Sequence, residues 1–89
     1  MIEKELTIVN KLGLHARAAA KLVSLASNFD SDVELMRDGR KVNGKSIMGV
    51  MMLAASQGSN IVVLVNGADE DEAIVKIEDL IADKFGEGE

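Results

Sequence analysis

The run Asn60-Ile61-Val62-Val63-Leu64-Val65 most constrains what this chain can become. From Ile61 onward every residue is apolar and nearly all are β-branched, so a strand made here is apolar on both faces. Such a strand belongs in the middle of a sheet, paired along both edges. The partners must come from the same 89 residues, which suffice for one core but not two. Two stretches qualify. In residues Glu5 to Val9, Leu6 and Ile8 alternate with Glu5 and Thr7, the pattern of a half-buried strand. Further on, Val33 and Leu35 alternate with Glu34 and Met36, and Asp38-Gly39 is a strong hairpin signal leading into Arg40-Lys41-Val42-Asn43.

Helical spacing occupies the intervals. The alanine-rich run Ala16 to Ala26 sets a polar stripe of Arg17, Lys21, Ser24 and Asn28 against Ala19, Leu22, Val23 and Ala26. After Gly44-Lys45, Ser46 is suited to cap a short apolar helix over Ile47 to Ala55, with a strand as the weaker alternative. Asp69-Glu70-Asp71-Glu72 resembles a capping box, and Ala73, Ile74, Ile77, Leu80 and Ile81 then repeat at helical spacing. The order strand, helix, strand, strand, helix, strand, helix predicts an α+β fold, a mostly antiparallel four-stranded sheet with its helices on one face. The expected unit is one domain over 1–89, with Gly86-Glu87-Gly88-Glu89 fraying because nothing there can be buried.

Composition narrows the function. Without cysteine there is neither a disulfide framework nor a thiolate metal site, and a reducing cytoplasmic setting is expected. A net charge of −5 and only two aromatics, Phe29 and Phe85, argue against nucleic acid, which wants a basic face and stacking platforms. The N-terminal residues lack the pattern of a signal peptide and no apolar run reaches membrane-spanning length, so export and insertion are unsupported. The acidic run at Asp69 to Glu72 has no histidine at usable spacing and reads as a solvated helix start, so no metal site is expected. No P-loop or nucleotide fingerprint is present, and no cofactor is expected.

One stretch carries chemistry. In Gly13-Leu14-His15-Ala16-Arg17-Ala18-Ala19, Gly13 permits an unusual backbone turn and the chain's only histidine falls at the N-cap of the first helix or just before it. Unpaired N–H groups and the positive dipole end make that first turn an anion site, and Arg17 adds a fixed positive charge. An imidazole nitrogen can accept a phosphoryl group and release it again, because the protonated ring is a good leaving group. The arrangement suits carrying phosphate.

The string Gly13-Leu14-His15-Ala16-Arg17, taken with Gly44-Lys45-Ser46-Ile47-Met48-Gly49 and Gln57-Gly58, resembles the histidine-containing phosphocarrier family HPr of the bacterial phosphotransferase system, from about Glu5 to Leu80. The resemblance implies an open-faced β-sandwich of strand order 1-4-2-3 with three helices on one face. It implies a cytoplasmic monomer that works as a phosphocarrier and not as a stand-alone catalyst. In that reading His15 takes phosphate through Nδ1 from phospho-enzyme I and passes it to a IIA domain, while Arg17 and the N–H groups of Ala16 and Arg17 hold the phosphoryl oxygens. The family usually has proline where this chain has Ala18, which leaves the helix start less firmly fixed.

Ser46 has two readings. As an N-cap it is structural; by resemblance it matches a serine phosphorylated by HPr kinase/phosphorylase in many bacteria. A helix as apolar as the one after it cannot bury every side, so Ile47, Met48 and Met51 are candidates for partner docking, as in the family. The alternative to a carrier is a regulatory interaction module controlled at Ser46. A plain small-ligand domain has no polar pocket to recommend it.

Overall fold

The computed structural model of the chain describes residues 1–87. Its elements, in order, are β1 (Ile2–Thr7), α1 (Ala16–Ala26), β2 (Asp32–Arg37), β3 (Arg40–Asn43), α2 (Ile47–Met52), β4 (Asn60–Asn66) and α3 (Glu70–Ala82), followed by a 3-10 turn over Lys84–Gly86. The sheet is antiparallel throughout with the order β1-β4-β2-β3. The apolar strand β4 is central, paired with β1 on one side and β2 on the other, and the registers Leu6↔Ile61 and Leu35↔Val63 put its odd residues against the helices. Those residues join Ile8, Leu22, Val50, Ile77 and Phe85 in the core. No helix among the described residues is long and apolar enough to cross a membrane.

The hairpin signal holds at the backbone, since Asp38 and Gly39 have φ of 52° and 80°, the doubly positive turn that matches strand twist. Elsewhere tertiary contacts move the element ends. β1 starts at Ile2, earlier than alternation alone predicts, because the whole stretch zips onto β4 from Ile2↔Val65 to Thr7↔Asn60. Lys4, on the helix side of the strand, reaches over to Glu78 of α3 at 2.8 Å, so its charge is not left in the interior.

Helix α2 is shorter than predicted, stopping at Met52 instead of Ala55. Beyond it Ala54 takes a φ of 51°, and the carbonyl of Ala55 is used by Leu14 N–H at 2.9 Å. Arg37 and Arg40 donate to the carbonyls of Leu53 and Met52, each at 3.0 Å, satisfying acceptors that a helix end leaves open.

The capping box at α3 does not form. Asp69 is the N-cap residue, yet its side chain bonds no N–H of its own helix. Its carboxylate accepts instead from the N–H groups of Asp30 and Ser31, both at 2.9 Å, and from the Ser31 hydroxyl. Glu70 takes the local role, accepting from Gly67 N–H at 3.2 Å. The tail also departs from expectation. Phe85 is fully buried, and this anchors the turn that carries Gly86 and Glu87 to the mouth of α1, where Glu87 is bonded to Asn10 and His15. Residues 88 and 89 of the expected frayed tail lie outside the described residues.

Candidate functional site

The loop after β1 is built to deliver one side chain. Asn10 is fully buried. Its Nδ2 donates to the carbonyl of Gly13 at 2.8 Å, while its own carbonyl accepts from Gly13 N–H at 3.2 Å. Gly13 has a φ of +66°, and a Cβ there would stand 2.4 Å from the carbonyl oxygen of Ala55. Only glycine fits a left-handed backbone pressed this close to another chain segment. Leu14 is then buried, and His15 is left as the N-cap of α1 with φ −72° and ψ 178°.

The His15 carbonyl starts the helix by accepting from Ala19 N–H at 2.8 Å. Its ring makes no cap bond and stands in the cleft, with 29% of the side chain exposed. Nε2 lies 2.5 Å from Glu87 Oε2, and the other oxygen of Glu87 accepts from Asn10 Nδ2 at 3.2 Å. Lys21, one turn along the polar face from Arg17, donates to the carbonyl of Phe85 at 2.6 Å.

Around the ring is an open cleft of about 750 Å³, lined by Lys11, Leu12, Ala16, Arg17, Lys21 and Glu87 as well as His15. Three cations and one carboxylate make it electropositive in a chain whose net charge is −5. The N–H groups of Ala16, Arg17 and Ala18, the first three residues of α1, have no acceptor within the helix. Ala18 keeps an N–H that a proline would lack. An anion bonded to the His15 ring would thus meet oriented donors, a helix dipole and a guanidinium together.

The structure brings His15, Ala16 and Arg17 together and sets Ser46 apart from them. Lys45 donates to the carbonyl of Phe29 at 2.8 Å, just past the C-terminal end of α1, while Ala55 meets Leu14 at the other end. The two helices therefore run antiparallel, and Ser46, at the start of α2, does not line the cleft around His15. Ser46 Oγ accepts from Gly49 N–H at 3.1 Å, as an N-cap. Val50 is the buried side of α2, and Ile47, Met48, Met51 and Met52 are exposed.

Sequence reasoning missed Asn10, Lys21 and Glu87 as parts of the site. Asn10 had a signal, an amide at a strand end three residues before a glycine. Glu87 had none, being 72 residues from its partner.

A family model described as the PTS HPr component phosphorylation site matches residues 2–83. The phosphocarrier protein HPr of Cupriavidus necator is 57% identical over 89 residues, all of both chains. Among solved structures, HPr-C-His from Thermoanaerobacter tengcongensis superposes with a TM-score of 0.96 at 49% identity, covering 100% of both chains. An HPr dimer from the same organism gives 0.79 at 50% identity, covering 98% of this chain and 100% of that one.

Proposed function

The chain belongs to the HPr phosphocarrier family of the phosphotransferase system, and on that premise we propose that His15 is the phosphoryl acceptor, charged by phospho-enzyme I and discharged to IIA domains. The observation that carries this reading is the ring of His15 at the N-cap of α1, inside a cleft that also holds Arg17. Arg17 and the N–H groups of Ala16 and Arg17 bind the equatorial oxygens of the transferring group, where charge is spread in a loose transition state. The partner brings the second histidine, so neither protein is a complete catalyst alone. A cytoplasmic location and action as a monomer belong to the same reading.

Incubation with enzyme I and phosphoenolpyruvate is expected to add one phosphate, labile in acid and stable in base, at His15. If His15→Ala still took up such a phosphate at an unchanged rate, the reading would fail.

A second reading concerns Ser46. Its hydroxyl caps α2 directly beside exposed Ile47 and Met48, so a phosphate there would sit on a helix N-terminus without unfolding it and would change the surface that partners meet. This reading makes HPr kinase/phosphorylase a further partner and uses Ile47, Met48 and Met51 as the docking surface.

A further inference from the structure

We propose that Glu87, held by the buried amide of Asn10, is a positioning residue for phosphoryl transfer: it takes the proton on Nε2 of His15 as its hydrogen bond and so leaves Nδ1 as the nitrogen with a lone pair. The inference rests on the carrier reading and adds to it what selects the reacting nitrogen.

The donors and acceptors fix the assignment. A carboxylate has no proton to give, and a carboxylic acid is a far stronger acid than an imidazolium, so the proton between Glu87 Oε2 and His15 Nε2, 2.5 Å apart, stays on the ring. A neutral imidazole carries one N–H. With it on Nε2, the lone pair is on Nδ1. The amide of Asn10 is equally determined: both groups facing it, the Gly13 carbonyl and Glu87 Oε1, are acceptors, so its NH₂ must point to them. Asn10 is fully buried and cannot swing away, which makes one residue responsible for both the loop that presents His15 and the carboxylate that orients its ring. Phe85, buried, and Lys21, bonded to the Phe85 carbonyl, hold the turn before Glu87 from the other side.

The transfer then balances as follows. The Nδ1 lone pair forms the new N–P bond as the N–P bond to the donor histidine breaks, and that electron pair returns to the donor ring. The proton on Nε2 does not leave. The accepting ring becomes positive, and the carboxylate already in contact with it offsets that charge, as a carboxylate does for a histidine in other nucleophilic sites. In the reverse step the same proton makes the ring a good leaving group.

The test uses the full chain labelled with ¹⁵N-histidine, as parent, Glu87→Ala and Glu87→Gln, with Asn10→Asp as the variant that turns a donor into an acceptor. Ring ¹⁵N shifts, read where the imidazole is neutral, report which nitrogen bears the proton without any transfer taking place. The parent is expected to be almost wholly Nε2–H. Glu87→Ala and Asn10→Asp are expected to raise the Nδ1–H share severalfold, and Glu87→Gln, whose one carbonyl oxygen cannot serve both donors, to fall between. Phosphorylation by enzyme I should slow about tenfold in Glu87→Ala through the maximal rate, with the carrier's Michaelis constant little changed. Identical tautomer populations in parent and Glu87→Ala would overturn the proposal. So would a shifted tautomer with unchanged transfer. Should the parent take no phosphate on His15, the carrier reading fails while the tautomer comparison still decides whether Glu87 orients the ring.

Discussion

A side chain at position 13 would have to occupy space that the Ala55 carbonyl fills, on a backbone already at φ +66°. Gly13→Ala is therefore expected to cost at least about 1–3 kcal/mol through strain alone, a fall in Tm of several degrees for a domain this size, and to lower transfer as well because the N-cap moves with it. Melts and enzyme I kinetics on the same preparation check both. Arg17 should behave oppositely. It is exposed on the polar face of α1, so Arg17→Ala is expected to leave Tm within about a degree or two while slowing transfer at least tenfold, about 1.4 kcal/mol of barrier. Equal losses of stability and activity would make Arg17 a structural residue. At this scale the sequence displays residue types but not their neighbours. Glycine before a histidine at a helix mouth is legible; the carbonyl that forbids a Cβ, and a carboxylate arriving from the far end of the chain, are set by the fold.

Elements were legible in kind and less so in extent. Helix α1 begins and ends where its alanine-rich run does, because the cap residue and the apolar stripe agree. Helix α2 stops early where two arginines from the β2–β3 hairpin take the carbonyls of Met52 and Leu53 and the Leu14 N–H takes that of Ala55, partners that no local pattern contains. For its N-terminus a pair of substitutions separates cap from switch. Ser46→Ala is expected to lose about 1 kcal/mol of stability, and Ser46→Asp to keep it, because aspartate caps as well and suits the dipole. If Ser46 is also regulatory, the aspartate variant accepts phosphate more slowly, with a raised Michaelis constant for the carrier. Ser46 does not line the cleft around His15, so the effect of the new charge would come through the docking partner. Unchanged kinetics for Ser46→Asp would leave only the cap.

Across the whole molecule, the order of strands is what periodicity could not supply: it depends on which loops can be joined, and only family resemblance implied it. One of those joins is the carboxylate of Asp69, which binds the loop between α1 and β2 to the start of α3. Its hydrogen bonds, from the Ser31 hydroxyl first and then the Asp30 N–H, hold its pKa below the ordinary 3.8, and the Gly67 N–H and the N-terminal ammonium do the same for Glu70 below 4.5. A carboxylate depressed in the folded state contributes stability that is complete above its unfolded value and is lost as pH falls through the folded one. The parent should thus lose Tm as pH drops below about 4.5, more steeply than Asp69→Asn; superimposable acid limbs would deny Asp69 this role.

Both ends of α2 are held, by the Ser46 cap on one side and by Arg37 and Arg40 on the other, while Ile47, Met48, Met51 and Met52 stand outside. A partner that docked there would find backbone that is already ordered, with one isoleucine and three pliant thioethers left to arrange. The docking surface proposed on α2 is also short, six residues of helix, and by itself would suit an interface of the small class, less than about 1,200 Å². Little ordering and little area together favour complexes that form quickly and dissolve quickly, differing from one partner to the next chiefly in how fast they part. For a molecule that must leave each partner before it can reach the next, residence time would then be the quantity under selection.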